Sequence, residues 1–409
     1  MNNKNRVIGI ALITAITLLG DAMLFIVLPI YWEDFGLTAI WQIGVLLSVN
    51  RLIRLPITPV VGLFYRKFSI RTGVLISVAC ACISTLSYGL VSGFVLLLLA
   101  RVLWGIAWSF IKLGGMLTVV TFSNENNRGR LMGMYNGLWG LGGLAGMLAG
   151  GFLVDQLSIP IVTTTFALAS FLIFPLVFIM IPKSNSNKEE EPSNQSQPSH
   201  VQDKMTMRHP YIVLIILTGG TMGYITMGVF NSTISPLIEQ SYQTEWTIFG
   251  AVIGAATLAG LIQAVRWAWD PFFAPVIGAA VDKSKYKQYV IFLPLILGSL
   301  AFLIIGRVES MFILLIVVLC FQLISTGFIT IIDTLAAEAS VQTNPVKMMT
   351  FHTVVVDCGA AIGPLVAFFI MDWSGLSAVY YLSAFVMLFV SLLWFIYHYY
   401  MRYTKNSHA

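Results

Sequence analysis

Pro59-Val60-Val61-Gly62 is followed 216 positions later by Pro275-Val276-Ile277-Gly278. Each segment ends a long apolar stretch and opens a basic loop, with Arg66, Lys67 and Arg71 after the first and Lys283, Lys285 and Lys287 after the second. A helix end of one kind, repeated once per half, marks an internally duplicated membrane protein. Among such proteins the common use of the design is alternating access. Composition agrees, because 57% of the residues are hydrophobic and only 10% are charged, against about 25% charged in soluble domains. No single water-soluble core could absorb that apolar surplus. The first apolar run, Val7 to Ile30, follows Lys4 and Arg6 and has no small-residue cleavage site. It is too long for a signal core and reads as a retained span.

A span requires ~20 mostly apolar residues. On that measure the chain offers twelve, near 7–30, 39–63, 72–92, 94–117, 131–153 and 161–181, then 210–236, 247–280, 288–306, 311–335, 349–371 and 377–401. The expected class is therefore an all-α membrane protein with twelve transmembrane helices in two pseudo-symmetric six-helix bundles. The bundles are expected over residues 1–182 and 209–409. Residues 183–208, with Lys188-Glu189-Glu190-Glu191 and a run of Ser, Asn, Gln and Pro, have the composition of a flexible linker.

Charge sets the direction. With the N-terminus in the cytoplasm, the inner loops, linker and tails hold 17 of the 23 Lys and Arg, and the outer loops hold Arg307 alone. That bias is a positive-inside signal placing both termini in the cytoplasm of a plasma-membrane protein. The eighth span is too long to be simple: 247–280 would be roughly 50 Å of straight helix against a ~30 Å hydrocarbon core. It is expected to tilt, project or break, with Pro271 and Pro275 as candidate breaks.

Three motifs carry a family resemblance over essentially the whole chain. The loop after the second span of each half shows Gly62, Lys67 and Arg71 in one copy and Gly278, Asp282, Lys283 and Lys287 in the other. Arg66 stands in the first copy where the second has Asp282. The fourth span has Arg101 followed four residues later by Gly105. The fifth span places Gly133, Gly142, Gly146, Gly150 and Gly151 in register, with Met147 where the family has a proline. These residues resemble the major facilitator superfamily, in its twelve-span proton-coupled efflux branch, the drug:proton antiporters. The resemblance implies that the loop glycines allow close helix approach and that the loops latch the outward-open state. It implies that Arg101 serves proton coupling and that the fifth-span glycines form an antiporter surface at which the halves slide. The eleventh span, with Gly359, Gly363 and Pro364, is a weaker echo of the fifth.

Ionisable residues inside spans are costly and are functional candidates by default. Counted along each helix at ~1.5 Å per residue, Asp21 lies ~21 Å and Arg101 ~24 Å from the cytoplasmic side. In the fold implied by the resemblance, the first and fourth spans both face the central cavity. Burial favours a protonated carboxylate and a neighbouring arginine an ionised one. A substrate that displaced the arginine would shift that balance, so Asp21 is the expected proton carrier and Arg101 its partner. Arg54 and Asp357 share a depth of ~12 Å and are expected to form a gate between the halves. Asp270, the repeat mate of Arg54, is the alternative partner. Arg51 and Arg266, with Arg101 and Lys112, leave a cation surplus among the intramembrane charges that would favour an anionic solute. Asn50, Asn136, Asn231, Gln263 and Gln322 are further candidates for the substrate cavity.

The remaining function classes are thin. Cys80 and Cys82, two apart, point to different sides of a helix, and Cys320 and Cys358 sit alone in apolar runs, so the four read as packing residues and suggest neither disulfides nor metal. No two of the five histidines have metal-ligand spacing on one face. There is no phosphate-binding loop, nucleophile motif or carboxylate pair with a base, so an enzyme is not expected and no cofactor is implied. The expected partners are a small-molecule substrate, protons and the lipid bilayer, with no nucleic acid, and the protein is expected to be a monomer. The favoured activity is proton-coupled export of a small amphipathic or anionic organic molecule. Proton-coupled import of a small anionic nutrient, export of a carboxylate-rich metabolite such as a siderophore, and a transporter-like sensor are the alternatives.

Overall fold

In the computed structural model the described residues are 3–123, 128–181, 206–242, 246–248, 251–284, 287–343 and 345–407. They form an all-α membrane fold. Ten helices are long and apolar enough to span a bilayer, from Asn3–Ile30 through Trp41–Lys67, Ile70–Leu90, Phe94–Phe122, Arg130–Gln156 and Ile159–Met180 to Pro210–Ser241, Met311–Val341, Lys347–Ser374 and Leu376–Tyr400. Ala255–Lys283 takes the place of the eighth span. Lys287–Val290 with Phe292–Ile305 takes that of the ninth. The expected linker, 183–208, lies almost wholly outside the described residues.

Helix is the natural answer to these sequences, because hydrocarbon offers backbone groups no partner and a helix pairs them internally. Several hydroxyls inside the spans obey the same rule. Thr14, Thr118, Thr163 and Thr218 each donate to the carbonyl four residues back, so no separate partner is needed. Large apolar side chains stay on the outside, as with Leu172, Phe312 and Phe385. That is an unstable surface in water and an ordinary one in lipid.

Packing divides the chain into two compact units, Met1–Ser196 with Ile234–Trp267, and Gln197–Thr233 with Ala268–Ala409. In the first unit, Val7, Ile10, Val78, Ile111, Tyr135 and Val177 build a core from spans one, three, four, five and six. In the second, Val229, Ala367 and Val379 join spans seven, eleven and twelve.

The eighth span departs from its expected form. Residues 246–253 are not helical over their described length: Trp246–Ile248 and Ala251–Ile253 pair as short antiparallel strands, with Thr247 opposite Val252. The helix starts at Ala255 and runs unbroken through Pro271 and Pro275 to Lys283. The excess length is thus a hairpin, and neither proline breaks the helix. The second span is interrupted at Ile53, one turn ahead of Pro56, whose ring nitrogen cannot donate to the Leu52 carbonyl. The seventh span contains a π-helical stretch, Gly223–Phe230, which the sequence reading does not anticipate.

Candidate functional site

Arg101 and Asp21 form a buried ion pair in the first unit. Arg101 of the fourth span, 1% exposed, donates from Nη1 to Oδ1 of Asp21 on the first span, which is 4% exposed. The guanidinium also donates from Nε to the Leu46 carbonyl at 2.9 Å. Asn50 of the second span donates from Nδ2 to the same Asp21 oxygen at 3.1 Å. The Phe25 ring lies 5.9 Å from the guanidinium carbon. Two polar atoms in this group, Arg101 Nη2 and Asn50 Oδ1, are buried without a hydrogen-bond partner, an expensive condition in a low-dielectric interior. The cluster joins three spans through one carboxylate.

Gly105 explains the four-residue spacing after Arg101. A Cβ there would strike the Ile53 side chain and stand 2.7 Å from the Asn50 carbonyl oxygen. The glycine lets the fourth span press on the second at the residue that holds Asp21. The motif therefore supplies both a charge and the close approach that positions its partner.

The fifth-span glycines divide by neighbour. Gly142, Gly146 and Gly150 face Ala15, Leu19 and Met23 of the first span, every fourth residue against every fourth. A Cβ on Gly146 would sit 2.6 Å from the Leu19 carbonyl oxygen. A Cβ on Gly151 would instead strike the Ala256 carbonyl of the eighth span, and one on Gly260 would stand 2.7 Å from the Met147 carbonyl oxygen. A Cβ on Gly133 would meet nothing within 4 Å. The second unit repeats the first pairing in spans seven and eleven, where Gly363 lies against Gly228 and Gly359 against the Gly220 carbonyl. The π-helical stretch falls on this contact and ends at Asn231, which is half-buried.

The loop motif is corrected in part. A Cβ on Gly62 would meet nothing within 4 Å, and one on Gly278 only the Thr330 methyl at 3.6 Å, so neither position requires glycine for a close helix approach. Lys67 and Lys283 are exposed. Asp282 and Lys287 lie in helices, but their side chains are outside the described set. Arg71 is engaged differently: it donates to the carbonyls of Ile181 at 2.5 Å and Phe178 at 3.1 Å. A cation there satisfies the open carbonyls ending the sixth span and complements its dipole.

The expected gate residues fall in different units. Arg54, in the first, holds its guanidinium carbon 5.2 Å from the Trp108 ring centre. Asp357, in the second, has an exposed side chain. Asp270 accepts a hydrogen bond from Thr326 Oγ1 on the tenth span. Of the cavity candidates, Gln263, Gln322 and Arg266 are buried, Arg51 is half-buried and Asn136 is exposed. Asn136 accepts from Trp139 Nε1 at 3.1 Å.

Two features escape the sequence reading. Asp155, near the end of the fifth span, accepts from Tyr31 Oη at 2.8 Å and from the Thr257 backbone N–H at 2.8 Å, and also from the Thr257 hydroxyl. Gly254 provides the first helical carbonyl of the eighth span but has no side chain to cap it, so Asp155 supplies the capping oxygen from another helix. In the second unit, buried His352 places Nε2 3.3 Å from Asp333 Oδ1, while its Nδ1 is buried without a hydrogen-bond partner. Neither link has a signal in local sequence, since each joins residues on separate spans.

Comparison with known proteins agrees with this architecture. The model of the Major Facilitator Superfamily matches residues 10–271 and 271–407. The multidrug resistance protein MdtG of Salmonella arizonae is 24% identical over 368 residues, covering 88% of this chain and 87% of that protein. The protein of the same name from Salmonella schwarzengrund is also 24% identical, with the same coverage. Among solved structures, the nucleoside transporter NupG has a TM-score of 0.75 at 13% identity, covering 97% of this chain and 99% of its own, and a bacterial homologue of the human lysosomal transporter Spinster has a TM-score of 0.74 at 13% identity, covering 96% of each.

Proposed function

The chain belongs to the Major Facilitator Superfamily and is a membrane transporter, and from that premise we propose that it exports a small amphipathic or anionic organic molecule in exchange for protons. The observation that carries the reading is the buried cluster of Asp21, Arg101 and Asn50. A carboxylate held by one arginine inside a bundle can be ionised while the arginine stays and protonated when it leaves. In the proposed cycle, Asp21 takes a proton as Arg101 turns to an incoming solute and gives it up as the pair re-forms. The name borne by the Salmonella relatives, a multidrug resistance protein, supports export over uptake.

The proposal places the protein in the cell membrane with both termini in the cytoplasm, as the distribution of Lys and Arg favours. It works as a monomer of two six-helix bundles, 1–182 and 209–409. Arg54 pairs with Asp357, or alternately with Asp270, when the cytoplasmic side closes. The glycine-lined contacts of spans one with five and seven with eleven act as rigid pairs, because a backbone-to-backbone fit tolerates little deformation. The cations Arg51, Arg54 and Arg266 on the spans would favour solutes with a negative group.

The test uses purified protein in liposomes with an imposed pH gradient and a panel of dyes, drugs and organic anions. Solute accumulation on the side from which protons leave, with matching collapse of the gradient, is the expected result. Movement of solute in the same direction as the protons would replace export by uptake. No solute-linked proton movement would overturn the coupling.

A further inference from the structure

His352 stands in the eleventh span, in the helix Pro345–Ser374, with 4% of its side chain exposed. Nε2 lies 3.3 Å from Oδ1 of Asp333 on the tenth span, whose side chain is 57% exposed. Nδ1 is buried with no hydrogen-bond partner. The ring fits because Gly219 of the seventh span has no side chain: a Cβ there would strike His352 Cε1 and stand 2.7 Å from Nδ1. One imidazole thus touches three spans of the second compact unit. It sits at the end of the glycine contact that runs on through Gly220 and Gly359 to Gly228 and Gly363. The π-helical stretch of the seventh span, Gly223–Phe230, begins one turn beyond Gly219. The helices packed here carry further ionisable groups toward this end: Tyr211 on span seven, Glu338 on span ten, Tyr397 and His398 on span twelve, and Lys347 and Asp357 on span eleven itself. These are engaged elsewhere. Glu338 acts on Tyr211, which stacks on Tyr397, His398 stacks on Tyr289, and Lys347 and Asp357 are exposed. Asp333 is the charged group that meets the imidazole.

The two charge states of this ring do not fit equally. A neutral imidazole with its hydrogen on Nε2 donates to the Asp333 carboxylate and leaves a lone pair at Nδ1. A protonated ring keeps that bond but adds an N–H at Nδ1, which faces the glycine notch and has no acceptor there. The carboxylate is more than half exposed, so water screens the extra attraction. A buried charged donor without a partner is expensive. The packing therefore suits the neutral ring. Nδ1 is the nitrogen that is open to a proton, and it can take one only when the spans part, so protonation and opening are one equilibrium. Histidine is the side chain whose ordinary charge change falls in the physiological range, which makes that equilibrium usable. We propose that Nδ1 of His352 is a second proton-binding site of this transporter, and that its protonation parts spans seven and eleven at the end which the Lys and Arg distribution favours as cytoplasmic. The proposal rests on the antiport reading, and deepens it by giving each unit its own proton site.

The test uses the full chain in lipid nanodiscs, with no solute and no pH gradient, from about pH 8 to about pH 5. Nitrogen-15 spectra of histidine-labelled protein, with His352→Gln to identify the signal, show which ring nitrogen carries hydrogen. Amide exchange of residues 214–222 and 349–356, referred to the intrinsic rate at each pH, shows opening. The expected result is hydrogen on Nε2 alone at the alkaline end and on both nitrogens at the acid end, with exchange of both segments rising in step by about tenfold or more. His352→Gln keeps a donor for Asp333 and has nothing to protonate, so its exchange should vary by less than about twofold over the same range. Gly219→Ala, which fills the notch, should exchange fast at every pH. A ring that gains its second hydrogen with no change in exchange overturns the proposal. So does an equal rise in His352→Gln, or hydrogen on Nδ1 at the alkaline end. Should Gly219→Ala fail to fold, the natural protein and His352→Gln decide the matter. The His352 response without proton-linked solute movement in liposomes would count against antiport and leave the proton site standing. Proton-driven export with no His352 response would do the reverse.

Discussion

Replacing Asp21 by asparagine leaves the shape of the buried cluster nearly intact and removes its charge. Arg101 is 1% exposed, so its guanidinium would then lie in the bundle with the Leu46 carbonyl as its remaining firm acceptor. Two unit charges about 4 Å apart at an effective dielectric of ~20 attract by about 4 kcal/mol. Breaking a buried pair from one side typically costs about 3–5 kcal/mol, because an uncompensated charge is left behind. Asp21→Asn and Arg101→Gln should each destabilise the protein by roughly that amount. The double variant carries only neutral amides, so it should lose less than the sum, with a coupling energy of about 2 kcal/mol or more. The assay is reversible unfolding of all four proteins in mixed detergent micelles, followed by circular dichroism. Additivity within about 0.5 kcal/mol would refute the claim that these two residues neutralise each other.

Three further outcomes follow from the packing. Gly146→Ala, whose new methyl would meet the Leu19 carbonyl at 2.6 Å, should lower stability by about 1–3 kcal/mol, whereas Gly133→Ala, facing open space, should be neutral or slightly stabilising; thermal unfolding in detergent compares them. Asp155→Asn should weaken the cap on the eighth span by about 1 kcal/mol and speed amide exchange at Thr257 and Leu258, and unchanged exchange would remove Asp155 from that role. Exchanging the charges of Arg54 and Asp357 should restore transport lost in either single reversal, and two dead singles with a dead double would count against their pairing.

The sequence made the spans legible because hydrocarbon leaves the backbone few choices. It also marked Asp21 and Arg101, since a charge amid apolar residues stands out. What stayed hidden was set by contacts between distant segments. Residues 246–248 and 251–253 lie in a stretch apolar enough to read as helix, yet they pair as strands. Gly62 matches a motif, yet a Cβ there would meet nothing within 4 Å. Arg71 reads as a loop cation but ties down the sixth span. Lys112 counted as one cation among five, and only the fold brings Trp108, Tyr135 and Trp139 around it. Asp155 lay at a span end with no motif, although it caps a helix a hundred residues away in the chain. In each case the decisive partner lies on another span, where one sequence carries no period or spacing to find it.

The most direct test of the central claim compares the natural protein with Asp21→Asn in liposomes loaded with a pH-sensitive dye and a transported solute. The account predicts that the natural protein drives solute uphill while the pH gradient collapses. It predicts that Asp21→Asn still binds the solute but neither concentrates it nor moves protons. Uphill, proton-linked transport by Asp21→Asn at the natural rate would contradict the account.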